Sequence, residues 1–108
     1  MIRATNQLTE KERKAAKALI ASCQAHDQTF REPYLSNMFN FNPNMPAFFI
    51  YYQKGELLGL LTVYADDEDI EVSILVDPSH RREGIAHAMY RSFEKEMASY
   101  PIRSVTFQ

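Results

Sequence analysis

The residues with the clearest capacity for chemistry lie in one short stretch, residues 76–86 (VDPSHRREGIA). Its pattern predicts that a strand ends at Val76, that two arginines follow in a turn, and that Gly84 opens a long helix. The first amides of a helix have no partner within the helix, and the helix dipole adds partial positive charge there. Because glycine has no Cβ, a ligand can approach the backbone closely at Gly84. The stretch is therefore predicted to bind an anion, best a phosphate or pyrophosphate.

Two common phosphate-binding motifs are absent from this stretch. It has neither the Lys-Ser/Thr pair of a P-loop nor the G-x-G-x-x-G of a dinucleotide-binding fold. Arg81 and Arg82 can supply side-chain charge, and a solvated basic pair is the alternative interpretation. Ser79 and His80 are expected to shape the turn, with His80 as a catalytic base as the alternative.

With the strand before it and the helix after it, the stretch resembles the signature of the GNAT superfamily of acyl-CoA-dependent N-acyltransferases. That signature reads V-x-P-x-x-[R/Q]-x-x-G-x-[G/A], and every fixed position is matched. The matching residues are Val76, Pro78, Arg81, Gly84 and Ala86. The predicted order of elements over all 108 residues also agrees with the first two-thirds of that fold.

The resemblance implies acetyl-CoA as cosubstrate, with the acetyl group transferred by direct attack of an amine on the thioester. The implied acceptor is a small-molecule or peptide amine, and residues 30–46 are implied as the wall of its site. Ile74, Leu75 and Val76 would pair with the pantetheine arm of CoA. The pyrophosphate would be held by the turn and the first helical residues, namely Arg81, Arg82, Glu83, Gly84, Ile85 and Ala86.

An amine acceptor requires a base, because an ammonium ion cannot attack a thioester. Glu71 is the catalytic candidate, since it lies on the strand that leads into the predicted cofactor site. An exposed strand carboxylate without a catalytic role is the alternative interpretation of Glu71. Asp69 and Glu68, in the preceding acidic turn, are further candidates for the base.

The amino-terminal part of the chain is predicted to be helical. Thr9 and Glu12 form a capping box, and apolar residues then recur at three- and four-residue spacing. Cys23 lies on the apolar face of this helix and is expected to be a core residue. Pro33 can open a short second helix, and residues 42–44 (NPN) are typical of a turn.

The rest of the chain is predicted to form a sheet and one more helix. Runs 47–53 and 57–64 are rich in aromatic and β-branched residues and are separated by KGE, which predicts a hairpin. Residues 70–76 alternate with the period of a strand, a helix stopped by Pro101 follows, and residues 103–107 form a last strand. The predicted fold class is α/β (α+β in some schemes), with a mixed, mostly antiparallel sheet flanked by helices.

Composition limits the class of protein. The 108 residues are 45% hydrophobic and 24% charged, as expected for one globular domain. The single cysteine excludes a disulfide framework, and no Cys/His cluster has zinc spacing, so no metal site is predicted. The net charge of −2 gives no reason to expect nucleic acid as a partner, and no apolar run is long enough to cross a membrane. The expected location is the cytoplasm.

The family pattern extends beyond the part matched here. In the family, a helix and two strands follow the strand that matches residues 103–107, and they carry an Asn that contacts CoA and a Tyr that protonates the leaving thiolate. We therefore expect residues 1–108 to form the amino-terminal part of one GNAT-like domain, with little activity alone. A non-catalytic CoA-binding or interaction module is the alternative. We also expect a homodimer formed through the exposed edge of the last strand.

Overall fold

The computed structural model describes residues 1–29, 33, 35–36, 40, 42, 44–65 and 67–107. The predicted mixed α/β fold class is confirmed in these residues. The elements, in chain order, are β1 (Ile2–Thr5), α1 (Glu10–Asp27), β2 (Phe48–Gln53), β3 (Glu56–Tyr64), β4 (Asp69–Val76), a short 3-10 helix (Pro78–His80), α2 (Ile85–Met97) and β5 (Ser104–Phe107). The predicted short helix opened by Pro33 lies mostly outside the described residues.

The five strands form one sheet in the order β1-β2-β3-β4-β5. Each of the first three pairings is antiparallel, whereas β4 and β5 run parallel because α2 carries the chain back across the sheet. The predicted hairpin is confirmed between β2 and β3. Its turn residues Lys54 and Gly55 both have left-handed backbone, with φ of 52° and 79°, as a two-residue type I′ connection requires.

One helix packs on each face of the sheet, because successive strand residues point to opposite sides. We call these the α1 face and the α2 face. The buried cluster on the α1 face contains Leu8, Ala16, Leu19, Cys23, Ala47, Phe48, Ile50 and Leu60. The buried cluster on the α2 face contains Met45, Phe49, Leu58, Leu61, Val63, Ala65, Ile70, Val72, Ile85, Met89, Phe93 and Met97. The predicted core position of Cys23 is confirmed, since only 2% of that residue is exposed.

The start of α2 lies unusually close to β3. A Cβ atom at Gly59 would come within 2.8 Å of both Ile85 and Met89. Glycine at this position therefore allows the first turns of α2 to approach the strand, which places the amino terminus of the helix beside the end of β4. This close packing sets the position of the turn that carries the predicted anion site.

Part of the segment between α1 and β2 is fastened to the sheet by a buried asparagine. The Nδ2 atom of Asn40 donates to the Val63 carbonyl at 3.3 Å, and its Oδ1 accepts from the Ala65 amide at 2.8 Å. The predicted turn at 42–44 is supported by the amide of Asn44, which donates to Oδ1 of Asn42 at 3.0 Å. The two contacts of Asn40 hold that residue at the end of β3.

The last strand is the least covered part of the sheet. Val105 is 36% exposed and Phe107 is 53% exposed, although the Phe107 ring lies 5.5 Å from that of Tyr90. Asp69 accepts hydrogen bonds from Arg103 and from Ser104, and these lower its pKa to about 2. Self-association through β5 stays a prediction. No helix in the described part of the chain is long and apolar enough to cross a membrane.

A nearly buried carboxylate joins β1, α1 and β2. Glu12 completes the predicted capping box by accepting from the Thr9 amide at 2.9 Å, and it also accepts from Arg3 Nε at 2.8 Å and Tyr52 Oη at 3.0 Å. Burial alone would raise the pKa of Glu12, but the hydrogen bonds from Arg3, Thr9 and Tyr52 outweigh it and lower the pKa to about 2. Glu12 therefore stays ionised wherever the protein is folded near neutral pH.

We expect Glu12→Gln to destabilise the protein by roughly 1–2 kcal/mol near pH 7, because hydrogen bonds to an ionised group are lost. The folded-state pKa of about 2 lies below the ordinary value of 4.5, so this stabilisation is complete above about pH 4.5 and is lost as the pH falls towards 2. Urea unfolding of both proteins between pH 2 and 7 measures the difference.

Glu10→Gln is the matched control, since Glu10 lies in the same helical turn and is exposed. It should change the free energy of unfolding little at any of these pH values. A Glu12→Gln penalty that stays constant down to pH 2 would contradict the network described here.

Candidate functional site

The turn between β4 and α2 is built by local hydrogen bonds. The Asp77 amide donates to the Leu58 carbonyl at 2.8 Å, which fastens the end of β4 to β3. The Asp77 side chain then accepts from the Ser79 amide at 2.8 Å and caps the 3-10 helix. Arg82 and Gly84 follow with φ of 66° and 82°, both left-handed. These two residues reverse the chain direction and deliver it into α2.

Gly84 is the residue that caps the amino terminus of α2, and it does so without a side chain. Apart from Gly84 itself and the adjoining backbone, no described atom lies within 4 Å of the position that a Cβ of Gly84 would take. The first amides of the helix therefore open onto free space and not onto a capping group. This is the arrangement that the sequence predicted for an anion site.

The open space is a cavity of about 850 Å³, within the size range of small-molecule sites. Its walls come from the end of β4, the turn, the first turn of α2 and the end of α1. The lining residues are Cys23, Gln24, Asp27, Thr29, Ile74, Leu75, Val76, His80, Arg81, Arg82, Gly84, Ile85, Ala86 and His87. In the described residues, no group of three or more His, Cys, Asp or Glu is placed to hold a metal ion.

The end of β4 offers backbone groups to this cavity. Because the Asp77 amide bonds to Leu58, the alternation of an antiparallel ladder directs the backbone of Leu75 to β3 and that of Ile74 and Val76 to the opposite edge. On that edge, the register with β5 runs from Asp69 to Val72. The amides of Ile74 and Val76 therefore lie beyond the paired part of β5.

Arg81 is engaged with the end of α1. Its Nη1 and Nη2 atoms donate to Oδ1 and Oδ2 of Asp27 at 2.7 and 2.8 Å, and its Nε donates to the Val76 carbonyl at 3.3 Å. The hydrogen bond to Arg81 holds the pKa of Asp27 well below its usual range, and the pKa of Arg81 is raised in turn. The Val76 carbonyl also accepts from the Cys23 thiol at 3.4 Å.

The structure brings together most of the residues that the sequence predicted as a cofactor site. Those that line the cavity are Ile74, Leu75, Val76, Arg81, Arg82, Gly84, Ile85 and Ala86. Glu83 does not line it; its Oε2 lies 3.4 Å from Nδ1 of His80. That Nδ1 atom forms no hydrogen bond with any described residue. Asp27 binds Arg81 and not Arg82. The Arg82 side chain is exposed at the cavity.

The candidate base, Glu71, lies outside this cavity. It is exposed on β4, opposite Tyr64 on one side and Thr106 on the other. Strand alternation places its side chain on the α1 face, with that of Leu75. Asp69, one of the two alternative candidates, accepts a hydrogen bond from Arg103, the residue just before β5.

Sequence reasoning missed the contribution of α1 to the cavity. Cys23, Gln24 and Asp27 of α1 line it, together with Thr29 just after the helix, although all four lie far before the turn in the sequence. Burial raises the pKa of the Cys23 thiol, which fits a wall residue and not a nucleophile. Asp27 is the last residue of α1, and no local pattern in the sequence relates it to a partner in the turn.

A scan of the sequence against protein-family models matches residues 10–107 to the Acetyltransferase (GNAT) family. The match spans almost the whole chain, which therefore belongs to the GNAT acetyltransferase family. The resemblance seen in the β4–α2 turn is thus confirmed. A search of curated protein sequences finds no significant match.

Solved acetyltransferases have a similar fold. Ard1 from Thermoplasma volcanium aligns with a TM-score of 0.70 at 17% identity, over 99% of this chain and 69% of that chain. Diaminobutyrate acetyltransferase EctA from Paenibacillus lautus, in complex with L-2,4-diaminobutyric acid and coenzyme A, aligns with a TM-score of 0.70 at 20% identity, over 99% and 63%. An aminoglycoside acetyltransferase from an uncultured soil metagenomic sample aligns with a TM-score of 0.67 at 20% identity, over 100% and 76%. The chain thus spans 63% to 76% of the length of these three proteins.

Proposed function

We propose that this chain supplies the CoA site of an acetyl-CoA-dependent N-acetyltransferase, and that residues 1–108 belong to a single GNAT-like domain. The observation that carries the proposal is the start of α2 at Gly84, which has no side-chain cap and is open to a cavity of about 850 Å³ in a chain of this family. When bound, acetyl-CoA supplies an acetyl thioester that an amine attacks directly. The proposed location is the cytoplasm.

The pyrophosphate is proposed to lie against the turn from Arg81 to Ala86. Backbone amides at the start of α2 carry partial positive charge and suit an anion without the desolvation cost of a buried cation. The left-handed backbone at Arg82 and Gly84 supports this role, because it turns successive amides towards one concave side. The Arg82 side chain adds a full charge at the cavity.

The pantetheine arm is proposed to pair with the end of β4. Ile74 and Val76 direct amide groups to the edge of the strand that β5 leaves uncovered beyond Val72. Pantetheine carries two amide groups, which need hydrogen-bond partners when they leave water. A short stretch of strand-like pairing satisfies both the chain and the ligand.

The acceptor is proposed to be a small-molecule or peptide amine, with Glu71 as the base that removes a proton from it. Two of the similar structures are of a diaminobutyrate acetyltransferase and an aminoglycoside acetyltransferase, whose names state amine-bearing substrates. Residues 30–46 are proposed as the acceptor wall; most lie outside the described residues, but Asn40 ties this segment to β3. Nucleic acid and membrane are not proposed as partners.

A second candidate function is a CoA-binding module without catalysis. It is favoured by one observation, that Glu71 does not line the cavity and faces the α1 side of β4. Under this alternative the turn between β4 and α2 would still bind CoA, but no thiol would be released from acetyl-CoA in the presence of amines.

We expect Gly84→Val to lower the affinity for CoA by roughly tenfold or more, measured by calorimetry. Valine disfavours the left-handed φ of 82°, and its side chain would project into the space proposed for the pyrophosphate. Gly55→Val is the matched control, since Gly55 also has a left-handed φ and nothing within 4 Å of a Cβ, but lies in the β2–β3 turn. Unchanged CoA affinity in a folded Gly84→Val protein would refute the proposed pyrophosphate site at the start of α2.

We expect Glu71→Gln to lower the rate of thiol release from acetyl-CoA with an amine by about 10²–10⁴-fold, because proton transfer to a base is lost. Affinity for CoA should stay unchanged, since Glu71 lies outside the cavity. Glu94→Gln, an exposed change on α2, is the control. Since wild-type residues 1–108 are expected to have only low activity alone, a rate for Glu71→Gln equal to that of the wild type would exclude this base. A wild-type protein that binds CoA but releases no thiol above the uncatalysed rate would favour the second candidate.

We also propose a homodimer in which β5 of one copy pairs with β5 of another. The exposure of Val105 and Phe107 supports it, because an uncovered strand with apolar side chains invites pairing. Val105→Lys should shift sedimentation towards the monomer, whereas Ser99→Lys adds the same charge away from β5 and should not. A wild-type protein that sediments as a monomer at high micromolar concentration would contradict the proposal.

A further inference from the structure

The ion pair between Arg81 and Asp27 connects three parts of the fold at one point. Arg81 belongs to the turn, Asp27 is the last residue of α1, and the Val76 carbonyl that also accepts from Arg81 ends β4. Both terminal nitrogens of the guanidinium contact the carboxylate, at 2.7 and 2.8 Å. Such a bidentate contact fixes the plane of the guanidinium as well as its distance from the carboxylate.

This geometry separates the roles of the two arginines in the turn. The Nε, Nη1 and Nη2 atoms of Arg81 all donate to Asp27 or Val76, so its side chain points towards α1. Arg82 follows at once with a left-handed φ of 66° and an exposed side chain at the cavity. A change in the direction of Arg81 would therefore be transmitted directly to the backbone that lines the cavity.

We infer that Asp27 is a positioning residue for CoA binding. It holds Arg81 against Val76 and thereby keeps Arg82 and Gly84 in the left-handed conformation that opens the start of α2 to the cavity. The inference rests on the proposed CoA site. Asp27 acts through Arg81 and not by contact with the ligand, since a carboxylate beside a pyrophosphate would repel it. Recognition of the phosphate is left to the backbone amides and Arg82.

A different role for Asp27 predicts the opposite change in CoA affinity. If Asp27 only sequesters Arg81, and Arg81 leaves it to contact phosphate, then removal of the carboxylate would free a cation and strengthen CoA binding. Loss of one negative charge near an anionic ligand would act in the same direction. If Asp27 positions the turn, its removal weakens binding despite that electrostatic gain. The sign of the change in affinity therefore decides between the two.

The experiment measures the dissociation constant of CoA by calorimetry, well below the thermal midpoint of every variant. We expect Asp27→Asn to weaken CoA binding about tenfold. Asp27→Glu, which keeps a carboxylate, should restore most of that loss. Arg81→Gln should weaken binding to a similar extent, and the double variant Asp27→Asn/Arg81→Gln should be no weaker than either single variant, because the two residues act as one unit.

Ligand and residue controls separate positioning from a general loss of stability. Dephospho-CoA, which keeps the pyrophosphate, should show the same fold loss as CoA, whereas pantetheine, which lacks phosphate, should bind the wild type and Asp27→Asn equally. Glu94→Gln removes a charge from the exposed side of α2 and should leave CoA binding unchanged. An equal loss for pantetheine would overturn the inference.

The remaining outcomes are equally decisive. Equal or tighter CoA binding by Asp27→Asn would overturn the inference and leave the proposed CoA site intact. Failure of the wild-type chain to bind CoA would overturn the proposed function, and this inference with it. If Asp27→Asn does not fold, Asp27→Ser takes its place: weaker CoA binding supports the positioning role, and equal or tighter binding overturns it.

Discussion

The chain reversal between β4 and α2 is the constraint on which the rest of the site depends. Two left-handed residues, Arg82 and Gly84, turn the backbone within a few positions of the end of a strand. The helix that follows is held close to β3 because Gly59 leaves room for Ile85 and Met89. The start of α2 is thus fixed by packing on one side and open to the cavity on the other. A side chain at either glycine would disturb one of these two requirements.

Carboxylate–arginine pairs join elements at three separate places in the fold. Asp27 ties α1 to the turn through Arg81, Asp69 ties the start of β4 to the approach of β5 through Arg103, and Glu12 ties α1 to β1 through Arg3. Each pair joins segments that are distant in sequence or belong to different elements. The two exposed pairs, Asp27–Arg81 and Asp69–Arg103, contribute little stability individually. Their effect here is geometric, because each sets the direction of a strand end or a turn.

Local signals account for the parts of the structure that the sequence predicted well. The capping box at Thr9 and Glu12, the β2–β3 hairpin and the glycine that opens α2 all depend on neighbouring residues, and the structure contains each of them. The role of Asp27 had no such signal, since its partner Arg81 lies 54 positions away. The position of Glu71 outside the cavity likewise had no local signal. It depends on the register of β4 in the sheet and on which elements form the cavity walls, and the alternation of residues along one strand reveals neither.

CoA bound against the first amides of α2 would change their chemical environment, so the amide resonances of the protein during a titration with CoA report on this site. We expect saturable shifts of the ¹H and ¹⁵N resonances of Gly84, Ile85 and Ala86, accompanied by those of Ile74 and Val76. The amide of Glu12, at the other end of α1 from the turn, should not shift. Saturable binding that leaves the resonances of residues 84–86 in place would show that CoA binds elsewhere.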